Sequence, residues 1–400
     1  MHRIKRFAGD RDSMFDHVKP VLAALALIAV GIAILNGLLD SLGDSPQLAF
    51  ALSGSFAVYL GSRPTRRQVV LTILLGCGLR LAYGTRFAVK PYCGSAVITL
   101  AGFLGLASLL ALVYTAFRTR QFRSLGTAAY FPLFSIMVGF ILPISYRLSP
   151  ATFDTRLLAV DGTLGFQPSF VLGSILRGHP LLWNMATTLY WSISLVVALV
   201  CALQMERNFP EVRRLLYLFA FASGAGFVMY AIFPATGPVY AFPEWFPAKP
   251  PRLPDIALGA ALSVPGVVRN AMPSLHVGAA LLVVWNVSHL GRAVRSTAAL
   301  YLAATAFIVL ALGEHYLIDI VVAVPFALLF QAAFADSPAG NSKQRHRVLL
   351  GSAATVAGWI LTLRYGVRPL VMWPAITWAG AVATIGLSAW ARHKLTLTSR

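Results

Sequence analysis

Two short stretches of this chain carry side chains suited to phosphoester chemistry. One is Pro273-Ser274-Leu275-His276, preceded by Arg269-Asn270-Ala271-Met272. Proline is at home in the first helical turn, where its missing N–H costs nothing, so a helix is predicted to open at Pro273. Ser274 and His276 would then stand at a helix N-terminus, where free N–H groups and the positive end of the helix dipole favour an anion such as phosphate. The other stretch is Glu314-His315-Tyr316-Leu317-Ile318-Asp319. On a helix His315 and Asp319, four apart, share one face and can meet. A carboxylate bonded to one ring nitrogen fixes the tautomer and raises the basicity of the other, as a nucleophilic or basic histidine requires. Each motif alone has an ordinary reading, a polar helix start or a structural hydrogen bond. Together they supply nucleophile, proton donor and anion cradle. A metal site is the rival, but the two imidazoles and one carboxylate lack the His-Glu-x-x-His type of spacing, so no metal or organic cofactor is expected.

The elements that must position these residues are membrane helices. With 58% hydrophobic and only 12% charged residues, no ordinary soluble domain holds most of the chain. A net charge of +19 could signal a nucleic-acid binder. The Lys and Arg residues, however, stand in short clusters between apolar runs, a topogenic pattern that excludes nucleic acid as the expected partner. Cys77, Cys93 and Cys201 are scattered, which supports neither a disulfide framework nor a cysteine metal site.

A membrane-spanning helix needs about 20 mostly apolar residues. That template fits an all-α, polytopic transmembrane helical bundle of about twelve spans: 20–39, 47–61, 69–87, 95–117, 125–145, 181–203, 215–234, 273–289, 297–313, 316–333, 348–365 and 370–390. The run from Val21 to Leu39 is too long for a signal-peptide core and reads as an uncleaved first helix. Segments on one side of this layout hold 22 of the 33 Lys and Arg residues, which predicts both termini in the cytoplasm. Loops 146–180 and 235–272 then lie outside and are longer than a connection needs. The second is rich in proline, glycine and aromatics, and could cap a site or place Trp245 and Phe246 in an interfacial belt. No internal repeat is evident, which gives no support to the inverted-repeat architecture of many transporters.

The hairpin logic of this layout joins the two motifs. The chain runs inward from His276, turns near Arg292 and runs outward to His315, so both histidines return to the outer face. Ionisable groups near a membrane interior are expensive and tend to be functional.

At Pro273–His276 and at His315 to Asp319 the sequence resembles the type 2 phosphatidic acid phosphatase superfamily, whose second motif is Pro-Ser-x-His and whose third ends in His-x-x-x-Asp. The resemblance covers roughly 125–333, which implies a six-helix catalytic core between an N-terminal helical region, 1–124, and a two-helix extension, 334–400. AMPSLH with HYLID, Asp154-Thr155-Arg156-Leu157-Leu158, and the loop from Phe233 to Tyr240 look most like the inositol phosphorylceramide synthase-like branch. The phosphatases' first motif has no counterpart, and Ile308 and Val309 stand where a Ser-Arg pair precedes the third-motif histidine. Arg269, Arg252 and Lys249 are the outer-face cations nearest in sequence that could meet a phosphate, Arg269 foremost.

The resemblance implies that His315 attacks the phosphorus of a lipid-linked phosphoester, that Asp319 orients it and that His276 protonates the leaving alcohol. The phosphohistidine would pass to water or to a hydroxyl acceptor. Ser274, Tyr240 and the cations would bind substrate. The implied setting is a plasma membrane, such as a bacterial inner membrane, with membrane lipids as partners. A transporter or flippase using the same cradle only for binding is the alternative.

Overall fold

The computed structural model describes residues 45–83, 95–251, 261–335 and 342–398. The expected first helix at 20–39 and Arg252 lie outside these residues. Among them the chain is overwhelmingly helical, as an all-α membrane bundle should be, because a spanning segment can satisfy its backbone internally only as a helix or in a closed barrel.

The N-terminal helices are α1 (Pro46–Gly61), α2 (Arg66–Tyr83), α3 (Ser95–Thr119) and α4 (Arg123–Leu148). Ser45 caps α1 by accepting the Leu48 N–H, with Pro46 following at the first helical position. α1 is the shortest of the four and the most enclosed, buried from Leu48 through Ser55 against α3, α4 and the helix Ile193–Gln204. Small residues allow this closeness: a side chain at Gly105 of α3 would run into the Leu52 carbonyl.

The loop expected at 146–180 is largely structured. It forms β1 (Ala151–Thr152), α5 (Asp154–Gly162) and α6 (Pro168–Arg177). The segment expected as one span at 181–203 is two helices, α7 (Pro180–Trp191) and α8 (Ile193–Gln204), bent by 53°. Next come α9 (Phe209–Ile232), the single turn α10 (Pro238–Ala241) and β2 (Leu262–Ser263). β1 and β2 pair antiparallel, Ala151 with Ser263 and Thr152 with Leu262, and so tie the two long loops together. Phe246 is buried in that second loop against Phe170, while Trp245 stays exposed, so the two aromatics do different jobs.

The remaining helices are α11 (Leu275–Asn286), α12 (Arg292–Ala311), α13 (Leu317–Ala333), α14 (Ser342–Tyr365), α15 (Val367–Met372) and α16 (Pro374–Thr398). α13 is the axis of this half, packed against α11, α14 and α16. Twelve spans are not what the described residues show. Five helices, α3, α4, α9, α12 and α14, are long and apolar enough to cross a membrane, and the bent pair α7–α8 makes a sixth. α11 and α13 are apolar but have 12 and 17 residues. At 1.5 Å per residue such helices fall short of a hydrocarbon core of ~30 Å. Both carry the predicted motifs at their N-termini.

Candidate active site

Both motifs are helix starts, though each begins later than the sequence suggested. Pro273 is not the first helical residue of α11. Ser274 is the N-cap, its hydroxyl accepting the Val277 N–H at 3.4 Å, and His276 follows in the first turn. α13 begins at Leu317 with Tyr316 as its N-cap, so His315 precedes the helix and shares no helical face with Asp319. The two still meet, because Asp319, in the first turn, folds back over the cap. Its Oδ2 accepts the Tyr316 N–H at 2.8 Å and lies 3.4 Å from His315 Nδ1.

A backbone carbonyl, not the carboxylate, is the nearer partner of the imidazole. His315 Nδ1 is 2.7 Å from the Ala271 carbonyl, two residues before Pro273. A carbonyl can only accept, so Nδ1 carries the proton and Nε2 keeps its lone pair. Nε2 is buried with no hydrogen-bond partner among the described residues. A second strap runs the other way, from the Ser274 N–H to the Asp319 carbonyl at 3.3 Å. These bonds lock the two helix starts together and bring the His276 and His315 rings to a centroid separation of 6.4 Å. Burial pushes the His315 imidazole down to about 4, against the pull of Glu314 and the Ala271 carbonyl, so it is neutral near pH 7.

Behind this pair lies a layer of carboxylates. Asp161, at the end of α5, accepts the Leu317 and Ile318 N–H groups at 2.6 and 3.2 Å and so satisfies the start of α13. Burial pushes its carboxyl up to about 8. Asp154, at the start of α5, accepts from the Thr236 and Gly237 N–H groups and from the Tyr316 hydroxyl at 3.0 Å. Ser169 donates to the His315 carbonyl at 2.8 Å. Gly237 (φ +90°) lies so close to the Glu314 carbonyl that any side chain there would collide with it.

In front lies a cavity of about 250 Å³ between α4, α7, α8, α9 and α11. His276 lines it and stacks on Tyr190 at a centroid distance of 4.0 Å. Glu314 reaches the same cavity, its two oxygens accepting from Tyr240 at 2.9 Å and Tyr190 at 3.3 Å. Apolar residues, among them Phe131, Val138, Leu142 and Val197, extend it into the bundle.

Of the residues singled out from sequence, His276, His315, Asp319 and Ser274 converge, and Tyr240 joins them through Glu314. Arg269 does not reach the cavity. It is fully buried, and its guanidinium donates to the carbonyls of Ser149, Pro150 and Val267. Lys249 is exposed on the second loop. Sequence reasoning missed Glu314, Tyr190, Asp161 and the Ala271 carbonyl. Glu314 and Asp161, acidic residues in a chain with only 14, carried the available signal.

The arrangement defines an all-α membrane bundle with an aligned pair of histidines at two coupled helix starts. Residues 155–333 match the family model of the PAP2 superfamily, a stretch that includes Asp161, Ser274, His276, His315 and Asp319. The match supports the superfamily resemblance and a phosphatase- or phosphotransferase-type function. No curated protein and no solved structure matches the chain.

Proposed function

We propose that the chain is a membrane phosphoester transferase or phosphatase that acts on a lipid-linked phosphate at the outer membrane face through a phosphohistidine. The observation that carries this reading is the protonated Nδ1 of His315 on the Ala271 carbonyl, 2.7 Å away, which leaves a neutral Nε2, without a partner among the described residues, beside His276. Nε2 attacks phosphorus, and the P–O bond to the leaving alcohol breaks. Burial and the neighbouring His315 hold the resting His276 imidazole down to about 3, so His276 gives that oxygen a proton only after taking one up with the anionic substrate, and it then takes one from water or from an acceptor hydroxyl in the second step. As positive charge develops on the imidazole, Asp319 Oδ2 at 3.4 Å stabilises it. The Ser274 cap holds the N-terminus of α11 and its dipole towards the anion. Hydrolysis and transfer to a hydroxyl, as in the inositol phosphotransferase-like branch, share the first step.

The test is trapping of labelled phosphoenzyme from a lipid donor radiolabelled at phosphorus. Acid-labile, base-stable label on the wild type and none on His315→Ala is expected. Turnover by His315→Ala, or label that persists on it, contradicts the reading.

A further inference from the structure

The cavity in front of the histidines has the wrong charge for a phosphate. Among its described lining residues there is no Lys and no Arg, and the one carboxylate is Glu314. A phosphate drawn wholly into it would face that carboxylate with no fixed cation to offset it. His276, the proton donor of the reading above, lines the cavity, whereas His315 does not. The phosphoryl group therefore belongs at the His276 end of the cavity, where that ring stands 6.4 Å from the buried His315, and the rest of the cavity belongs to the alcohol side of the ester.

We propose that the cavity takes an ammonium-bearing alcohol, the leaving group of a zwitterionic phosphoester, with Glu314 as its counter-ion. This rests on the phosphoester reading. Burial raises the Glu314 carboxyl above its ordinary value, and an ammonium beside it would favour the ionised form; with one phenol on each oxygen, two of an ionised carboxylate's about four acceptor positions then remain for N–H donors. Asn270 adds a buried Oδ1 with no partner among the described residues, lining the same cavity. The two phenols belong to Tyr190 and Tyr240, and Tyr190 packs edge-on against Trp191, so aromatic rings border the carboxylate. Acceptors without cations, bordered by rings, are the surroundings an ammonium group favours. In the step itself the bond from His315 Nε2 to phosphorus forms, the bond to the amino alcohol's oxygen breaks, and His276 supplies that oxygen's proton. The free amino alcohol leaves through the cavity.

The experiment separates binding from turnover in the purified full chain. Binding is read by ligand-dependent thermal stabilisation with dodecylammonium and with its neutral counterpart dodecylglycerol. Turnover is read as the ratio of kcat/KM for phosphatidylethanolamine over phosphatidylglycerol. The wild type is expected to favour the ammonium member of each pair, and Glu314→Gln to lose that preference by about tenfold or more, the scale of a lost charge-assisted contact. Glu314→Asp, which keeps the charge, retains the preference at lower affinity, and this guards against a fold defect in the Gln variant. Equal binding of both probes by the wild type, or equal weakening of both by Glu314→Gln, overturns the inference and favours a polyol or a plain hydrocarbon occupant. Ammonium-selective binding with no turnover of any phosphoester supports the subsite and removes the catalytic reading. Turnover without selectivity does the reverse.

Discussion

Asp319→Asn isolates what the carboxylate contributes, because the structure separates its two jobs. The amide oxygen of Asn can still accept the Tyr316 N–H, a bond of 2.8 Å in the native protein, so the cap of α13 survives. The tautomer also survives, since the Ala271 carbonyl at 2.7 Å holds the Nδ1 proton more closely than Oδ2 at 3.4 Å. Burial holds the Asp319 carboxyl well above the usual carboxylate range, so what disappears is the ability to carry a negative charge 3.4 Å from a ring that becomes cationic when Nε2 bonds to phosphorus. At an effective dielectric constant of about 20 that interaction amounts to ~5 kcal/mol. Because part of it offsets the desolvation of the carboxylate, a net loss of ~3–4 kcal/mol is expected, roughly a hundred- to a thousandfold in the rate of phosphoenzyme formation. Stability should move by less than ~1 kcal/mol, whereas Asp319→Ala should lose the cap as well. Single-turnover labelling gives the rate, and nitrogen chemical shifts of His315 in detergent give the tautomer. A variant within threefold of wild type, or one whose proton has moved to Nε2, would refute this division of labour.

Four further outcomes follow from the same geometry. His276→Ala should slow turnover of an alkyl phosphoester by about a hundred to ten thousandfold and recover with an aryl donor whose leaving group needs no proton, while His315→Ala should not recover; rescue of the His315 variant alone would exchange the two roles. With the His315 imidazole held to about 4, Nε2 takes a proton only as pH falls through that value, so with an aryl donor, which needs no proton from His276, the acid limb of kcat/KM should lie near 4. A limb near the ordinary histidine value of about 6.5 would show that His315 is not buried as described. Arg269→Ala leaves the Ser149, Pro150 and Val267 carbonyls without their donor, and a stability loss of ~2–5 kcal/mol by thermal unfolding in detergent is expected, with little change in KM; a stable variant with a raised KM would return Arg269 to the phosphate. A cysteine at Ala248 should react with an impermeant outside reagent and one at Ser342 should not, and the opposite pattern would overturn the orientation and the outer-face site.

Composition alone placed the chain in a membrane, because 58% hydrophobic residues have nowhere else to be buried. The spacing of Pro-Ser-x-His and His-x-x-x-Asp pointed to the candidate residues, since residue type is a local property that a sequence carries directly. Even the enclosed helix α1 was visible as a short apolar run. Hydropathy could not tell how far a run extends as helix: α11 and α13 start two and one residues later than expected, and the 181–203 run breaks at Ser192. Those endpoints depend on capping bonds, and several of the caps come from elsewhere in the chain. Asp161 reaches α13 across 156 residues, and the Ala271 carbonyl that sets the His315 tautomer is 44 residues away. Arg269 was the natural phosphate ligand by proximity to the motif, yet folding turned its guanidinium onto three loop carbonyls. Glu314 was an unremarked neighbour of the histidine until two tyrosines from other elements closed on it. Side-chain chemistry is written residue by residue, but which donor meets which acceptor is decided by long-range packing, and that is why only the tertiary structure separated the groups that line the cavity from those that hold the loops.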